Sequence, residues 1–294
     1  MVVAAVAVLG GQASPLAEIL SRVSEEAEVF RRVAPQTIAV ETLEQRSLKP
    51  PPRFRPRVGT GKPEPLTPEY RTREIVSEYT YSGLKESPSG MHEFRQVISV
   101  DGRRINTPEK ARHALSLGLQ SEDDRVRKRM LEEFRKYGLT DAAMDFGQVI
   151  LLFSRREFHN YDFRIEGSGG LGADDVIVLN YEQRQGKPGL LVFEGRKTIR
   201  AKLDGRLWVR KTDGLPLRIS LRAQWREANH TRRHEAVVEY TPAPFGILAP
   251  ASVKHSEYVD QFLVTENVFS YSPFRKFGAD AEIKFKTALE PEKK

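Results

Sequence analysis

The stretch GRLWVRKTDGLPLRISL, Gly205 to Leu221, carries the strongest structural signal in the chain. It predicts two strands joined by a tight Thr-Asp-Gly turn, since aspartate and glycine favour the backbone conformations that such turns need. In the second strand apolar residues alternate with arginine and serine, and the alternation continues to a tryptophan. Because side chains two residues apart share one face of a strand, the pattern predicts one inward-facing apolar stripe, made of Leu217, Ile219, Leu221 and Trp225.

The second half of the chain repeats this organisation. From Val149 to Phe285, strand-like segments alternate with short turns rich in glycine, asparagine and aspartate, among them Gly167–Gly172. Short connections require antiparallel neighbours, because a parallel crossover needs about a dozen residues or more. We therefore predict a long antiparallel meander.

The first half mixes helices with strands. Apolar residues at helical spacing from Pro15 to Ala34 predict an amphipathic helix. Segment 47–69 holds seven prolines and two glycines, which predicts a long exposed loop because proline cannot donate to a sheet. Segment 107–148 contains helix-start signals and predicts an inserted helical segment. We expect the apolar stripe to face residues of the predicted helices, namely Leu20 and Val23 of the first helix and Met130 and Phe134 of the inserted segment.

Composition narrows the class of protein. The chain has 294 residues, 39% of them hydrophobic and 30% charged, which is typical of a soluble globular protein. There is no cysteine, so disulfides and thiolate metal sites are excluded. The net charge of +7 favours anionic partners, but the arginine pairs are scattered along the chain and mixed with acids, which favours an ordinary solvated basic surface.

The first residues suggest export. The stretch VVAAVAVLGGQAS, Val2 to Ser14, is small and apolar and then turns polar, like the core and cleavage site of a secretory signal. The basic segment that should precede it is missing. We predict a periplasmic or otherwise exported protein in which residues 1–14 are the remnant of a signal peptide, the alternative being an ordinary buried N-terminal segment.

The motifs of common catalytic sites are incomplete. A strand pattern, rather than the helix that phosphate binding needs, follows Gly167–Gly172. His230 and His234 fall at a turn and a strand start instead of on one helical face. No Gly-x-Ser-x-Gly elbow is present. Unless distant carboxylates converge in space, we predict no catalytic residue, no metal and no cofactor, and a protein that is not an enzyme.

Two runs of sequence resemble a known family. The hairpin within Leu203–Leu221 is similar to the central hairpin of the LolA/LolB-like periplasmic lipoprotein carriers. The runs Lys136–Phe163 and Phe193–Leu221 also resemble a group of uncharacterised exported bacterial proteins. This resemblance implies a curved antiparallel sheet, an unclosed barrel, wrapped around helices. It also implies that Leu217, Ile219, Leu221 and Trp225 are candidates to contact an apolar ligand on the concave face.

Together these observations predict an α+β protein: a curved antiparallel half-barrel with an N-terminal helix and an inserted helical segment packed on its concave face. We expect a single domain over residues 15–286, with the loop 47–69, the insertion 107–148 and a flexible tail 287–294. The expected function is non-catalytic binding of an apolar or amphipathic ligand, such as a lipid or lipoprotein, in the cell envelope. The alternative is a scaffold for a protein or an anionic surface, with the basic Pro-rich loop as the contact to a protein partner. Nucleic acid is not expected, because aromatic and arginine side chains do not interleave on one predicted surface.

Overall fold

The computed structural model describes residues 15–50, 68–83, 91–121, 123–137, 145–187, 190–194 and 197–277. The expected signal remnant 1–14, most of the Pro-rich loop and the expected tail 287–294 lie outside these residues, as does the side chain of Phe134. Within the described ranges, no helix is both long and apolar enough to span a membrane.

Three α-helices and a series of strands make up the described chain. The helices are α1 (Pro15–Val33), α2 (Pro108–Gln120) and α3 (Asp124–Arg135). Short 3-10 helices cover Ala34–Gln36, Val149–Phe153 and Phe158–Asn160. The strands are β1 (Thr37–Leu48), β2 (Tyr70–Gly83), β3 (Met91–Val100), β4 (Arg103–Arg104), β5 (Tyr161–Leu171), β6 (Asp174–Gln183), β7 (Leu190–Glu194), β8 (Lys197–Arg210), β9 (Pro216–Glu227), β10 (His230–Ala243), β11 (Ile247–Val259), β12 (Phe262–Tyr271) and β13 (Arg275–Lys276).

The strands form one open antiparallel sheet. Its order is β4-β3-β2-β1-β12-β11-β10-β9-β8-β6-β5, with β13 paired to β1 and β7 paired to β8. Strand β1 joins the strands of the first and second halves of the chain into one sheet, because it pairs with β2 on one side and with β12 on the other. The predicted α+β class, an antiparallel half-barrel, is confirmed.

The β8–β9 hairpin has the turn that its sequence predicts. Gly214 adopts a positive φ of 73°, which a side chain would make costly. The Asp213 carboxylate accepts hydrogen bonds from the Arg210 guanidinium, at 2.7 and 2.9 Å, and from the backbone N–H of Leu215. These contacts fix the register in which β9 leaves the turn, and with it the face on which the apolar stripe lies.

Helix α1 covers part of the concave face of the sheet. Proline at its first position suits a helix start, because the missing N–H would have no partner there. Its inner stripe, Val23, Ala27 and Phe30, is fully buried in the same core cluster as Ile219 and Leu221 of β9. The expectation that the N-terminal helix packs on the concave face therefore agrees with the structure.

The inserted helices lie on the other face. Leu115 of α2 and Met130 of α3 form a separate cluster with Ile38 of β1 and Phe94 of β3. Ile38 is next to Ala39, which belongs to the concave core, so strand alternation places the two clusters on opposite faces of the sheet. The expectation that the inserted segment packs on the concave face, with Met130 facing the apolar stripe, was wrong. The helical period shows that a helix has a buried side, but not which face of the sheet it covers.

The glycine-rich segment is a strand rather than a turn. Strand β5 continues through Gly170 to Leu171, with a bulge between Ile165 and Gly167, and the turn follows at Gly172. The prediction of a hairpin loop over Gly167–Gly172 was therefore wrong. Strand β5 is the last strand in the sheet order, where little side-chain packing is required of it.

Candidate functional site

The predicted apolar stripe lies in the hydrophobic core. Leu217, Ile219, Leu221 and Trp225 are 7%, 0%, 4% and 8% exposed, and all but Leu217 belong to the large cluster that includes α1. The stripe thus faces inward, as the alternation of apolar and polar residues along β9 predicts. At these exposures a ligand could contact it only if the covering elements moved, so its role in ligand binding stays a prediction.

A buried charged cluster pins a loop onto the concave face. Arg95 of β3 donates two hydrogen bonds to the Glu41 carboxylate, at 2.6 and 2.8 Å, and one to Glu93 at 2.6 Å. Glu93 also accepts the backbone N–H groups of Asp145 and Gly147. Burial raises the pKa of Glu93, and the Arg95 charge opposes that rise. The cluster holds the chain just before the 3-10 helix Val149–Phe153, which makes it structural.

Four rings form a continuous stack across adjacent strands and this loop. Trp225 of β9 stacks on His234 of β10 with a centroid distance of 5.0 Å, and His234 stacks on His255 of β11 at 5.1 Å. His255 in turn stacks on Phe146 at 4.8 Å. At this end of the concave face polar side chains such as Asn267 and Glu257 are buried.

A directed hydrogen-bond chain runs through the same end. The Gln45 amide donates to Asn267 at 2.8 Å, and Asn267 Nδ2 donates to His255 Nδ1 at 3.1 Å. Since His255 Nδ1 accepts, its Nε2 carries the proton and donates to His234 Nδ1, 2.8 Å away. The proton on His234 Nε2 then points toward Glu257 Oε1, at 4.0 Å. Both histidines are neutral in this arrangement.

Burial explains why these histidines stay neutral. Desolvation lowers the pKa of His234 to about 4, helped by the Arg232 charge. Desolvation also lowers the pKa of His255 to about 3, helped by His234. Among the described residues, no group of three or more potential metal ligands is present, and His234 contacts His255 rather than its sequence neighbour His230.

An open cleft lies between α1 and the edge of the sheet. It measures about 240 Å³ and is lined by Leu16 and Leu20 of α1 and by Phe158, His159, Tyr161, Asp162, Phe163 and Arg184. Tyr161 and Phe163 stand on the concave face of β5, over an aromatic floor that includes Phe153 and Tyr181. At the mouth, Arg184 pairs with Asp162 at 2.8 Å. We call this the α1–β5 cleft.

The α1–β5 cleft has apolar side chains on both walls and polar groups at its mouth. Such a lining holds a hydrocarbon chain or ring by burial and leaves its polar end in water. The sequence identified none of these residues except Leu20, which is placed on the concave side as expected. The alternation of Tyr161, Phe163 and Ile165 was the available signal, because these residues share one face of β5.

The fold is an open antiparallel half-barrel with one helix on its concave face, and solved structures of similar proteins exist. No protein-family profile and no curated protein matches the chain. A DUF1329 family protein from Desulfovibrio piger is 14% identical, with 92% of this chain and 99% of that chain covered and a TM-score of 0.33. A LolA superfamily protein from Nitrosomonas europaea is 12% identical, with 92% and 99% covered and a TM-score of 0.30. A domain described as an outer membrane lipoprotein-sorting protein, from Vibrio parahaemolyticus, is 10% identical, with 92% and 97% covered and a TM-score of 0.33.

The Nitrosomonas europaea protein is described as a member of the LolA superfamily, the family that the sequence resembles. At these identities and TM-scores the likenesses carry no argument about function.

Proposed function

We propose that the protein is a non-catalytic binding protein of the cell envelope that takes a single-chain amphiphile on the concave side of its half-barrel. The observation that carries this proposal is the α1–β5 cleft, an opening of about 240 Å³ with apolar side chains on both walls. Small-molecule sites commonly measure about 300–1,000 Å³, so this cleft suits one hydrocarbon chain rather than a bulky ring system. The envelope location rests on the signal-like residues 2–14, and fractionation of the native host should find the mature protein outside the cytoplasm.

The lining supports a chain-like ligand. Leu16 and Leu20 form one wall and Phe163 forms the other, and all three are only partly buried. Covering such apolar surface stabilises a complex by about 25 cal/mol for each Å² removed from water, before the entropy of binding is subtracted. The Arg184–Asp162 pair at the mouth can rearrange toward a polar head group because both side chains are well exposed.

The apolar stripe is the proposed extension of this site. A longer chain entering beside α1 would reach Leu217, Ile219, Leu221 and Trp225 only if α1 lifted from the sheet. Since α1 contributes Val23, Ala27 and Phe30 to the same core, that movement would expose surface that the ligand must cover again. A short chain would therefore bind in the cleft alone, whereas a long chain would also contact the stripe.

Filling the cleft tests the proposal. In Leu20→Trp, the larger ring should occupy the α1–β5 cleft and weaken the binding of dodecanoate at least tenfold in isothermal titration calorimetry. The matched control is Leu117→Trp, which makes the same change at a leucine of α2 that is 56% exposed and outside the cleft. Equal dodecanoate affinity in the wild type and in Leu20→Trp, or no binding at all, would contradict the proposal.

A second candidate function is a module that binds a protein partner. The specific observation is that the apolar stripe is closed, while strand β5 ends the sheet with no neighbour on its outer side in the described chain. Ile165 of that strand is 50% exposed. Native mass spectrometry of freshly purified protein separates the two functions. Co-purified lipid supports the amphiphile proposal, whereas a bound peptide that is lost in Ile165→Lys supports the module.

A further inference from the structure

A second and larger cleft lies near the opposite edge of the sheet. It measures about 450 Å³ and is lined by Arg73, Val100, Asp101, Arg103, Ile105, Lys136 and Tyr137. Arg73 and Val100 stand on the concave side, in register with Gln45 and Ile75. Arg103 pairs with Val100 and so shares its face. We call this opening the basic cleft.

The charges of the basic cleft are unbalanced. Among the lining residues that the structure describes, three cationic side chains meet one carboxylate, that of Asp101. Asp101 is already engaged, because its Oδ1 accepts the backbone N–H of Glu74 at 2.9 Å and its Oδ2 lies 3.3 Å from Arg73 Nη1. Within the described ranges, neither Arg103 nor Lys136 forms an ion pair. These described side chains therefore leave a net charge of +2, which an anionic ligand would reduce.

One nitrogen of the Arg73 side chain lacks a hydrogen-bond partner. Its Nε is buried and has no hydrogen-bond partner, although the side chain reaches the cleft wall. A buried donor without a partner is costly, whereas a solvated surface arginine carries no such cost. Because Nε itself is not exposed, an oxyanion in the cleft would first meet the exposed part of the Arg73 side chain, 18% of its surface, and would reach Nε only after a turn of the guanidinium toward the cleft.

The rest of the lining is apolar. Val100 and Tyr137 pack against the concave core, and Ile105 is 42% exposed beside them. An inorganic anion would use the charges alone and would leave this apolar surface in water. The volume also exceeds what a bare anion fills and lies within the range of small-molecule sites, about 300–1,000 Å³.

We propose that the basic cleft binds an amphipathic oxyanion, a phosphate-type group attached to an apolar chain or ring. Arg73 grips the oxyanion, Arg103 and Lys136 balance its charge, and Val100, Ile105 and Tyr137 cover the apolar part. This site does not depend on the α1–β5 cleft, since the two clefts share no lining residue. The oxyanion can belong to a membrane phospholipid or to a free phosphomonoester.

Calorimetry with three probes at low salt tests the charge and the apolar contact separately. The probes are hexyl phosphate, inorganic phosphate and the uncharged hexyl glucoside. Hexyl phosphate should bind at least tenfold more tightly than either of the others, and its affinity should fall as salt is added because the charges are near the surface. Equal affinity for inorganic phosphate, or no binding of hexyl phosphate, overturns the proposal.

Matched variants locate the site. Arg73→Gln should weaken hexyl phosphate binding at least tenfold, and Arg103→Gln, an exposed change that leaves the core intact, should weaken it several-fold. The control is Arg104→Gln, which removes the same charge one residue along, on the other face of β4. If Arg104→Gln weakens binding as much as Arg103→Gln, the effect is one of overall charge and the assignment falls.

Vesicles distinguish the two sources of the oxyanion. Sedimentation with phosphatidylglycerol vesicles that is lost in Arg103→Gln and kept in Arg104→Gln supports a membrane phospholipid. Hexyl phosphate binding without vesicle binding supports a free phosphomonoester. These outcomes leave the α1–β5 cleft untouched, and the Leu20→Trp variant should bind hexyl phosphate as the wild type does.

Discussion

The neutral histidine pair should make the fold sensitive to mild acid. His234 and His255 have pKa values lowered to about 4 and about 3, whereas an unfolded histidine has a pKa near 6.5. As the pH falls below about 6.5, the unfolded chain takes up protons that the folded chain cannot accept. The stability contributed by keeping these rings neutral is therefore complete above pH 6.5 and is lost as the pH falls toward 4.

The size of the effect follows from those values. Between pH 7 and pH 5, proton uptake by the unfolded state costs the fold about 2 kcal/mol for each histidine, and up to about 4 kcal/mol for the pair. That loss is a large share of a typical folding free energy of about 5–15 kcal/mol. Urea unfolding followed by tryptophan fluorescence at pH 7 and pH 5 measures it, and Trp225 in the ring stack is a local reporter.

Variants isolate the contribution of the pair. His234→Gln should remove about 2 kcal/mol of the difference between pH 7 and pH 5, whatever its effect on stability at pH 7. His230→Gln is the control, because His230 pairs with Asp260 on the surface and lies outside the ring stack. If His234→Gln does not fold, NMR titration of the wild-type imidazoles replaces it. An unchanged pH dependence in His234→Gln, or a midpoint near 6.5 for His234 or His255 in the folded protein, would refute the reasoning.

Two further substitutions probe the core by urea unfolding. Leu221→Ala should destabilise the fold by about 2–5 kcal/mol through lost burial and the cavity that remains, whereas Arg222→Ala, on the opposite face of β9, should change it by no more than about 0.5 kcal/mol. A large loss at Arg222 with none at Leu221 would mean that the faces are reversed. Gly147→Ala should cost about 1–3 kcal/mol, because an added Cβ would lie 2.8 Å from both Glu93 Oε1 and the Tyr79 hydroxyl. Gly169→Ala, where no atom lies within 4 Å of the added Cβ, is its control, and equal losses in the two variants would contradict this account.

Some features of the protein follow from the sequence because their causes are local. Turn residues such as Asp213 and Gly214 act over four positions, and they predicted the β8–β9 hairpin. Short turns along the second half required antiparallel neighbours, which the sheet shows throughout. The parity of β9 placed Leu221 inward and Arg222 outward, since a side-chain period of two leaves no other choice once one face is buried.

The faces of β1–β3 could not be predicted in the same way. Helix α1 covers one side of this part of the sheet and helices α2 and α3 cover the other, so both sets of alternating positions are buried. In β1, Ile38 is buried on one face of the sheet, and Glu41 and Gln45 are buried on the other. The alternation of polar and apolar residues therefore does not show which face of β1 is buried. The same ambiguity hid the face on which the inserted helices pack.

The candidate sites depend on contacts between residues far apart in the chain. Gln45 meets Asn267 because β1 pairs with β12, a partner 222 positions away that no local pattern encodes. The ring stack and both clefts arise in the same way, from strand order and sheet curvature that bring separate segments to one place. The strand periodicity, the hairpin and the inward stripe could be predicted from the residues alone, because these features depend on neighbours along the backbone. Which polar groups share the concave face, and where the sheet leaves room for a ligand, became visible only in the folded chain, because both depend on how the whole sheet closes around its helix.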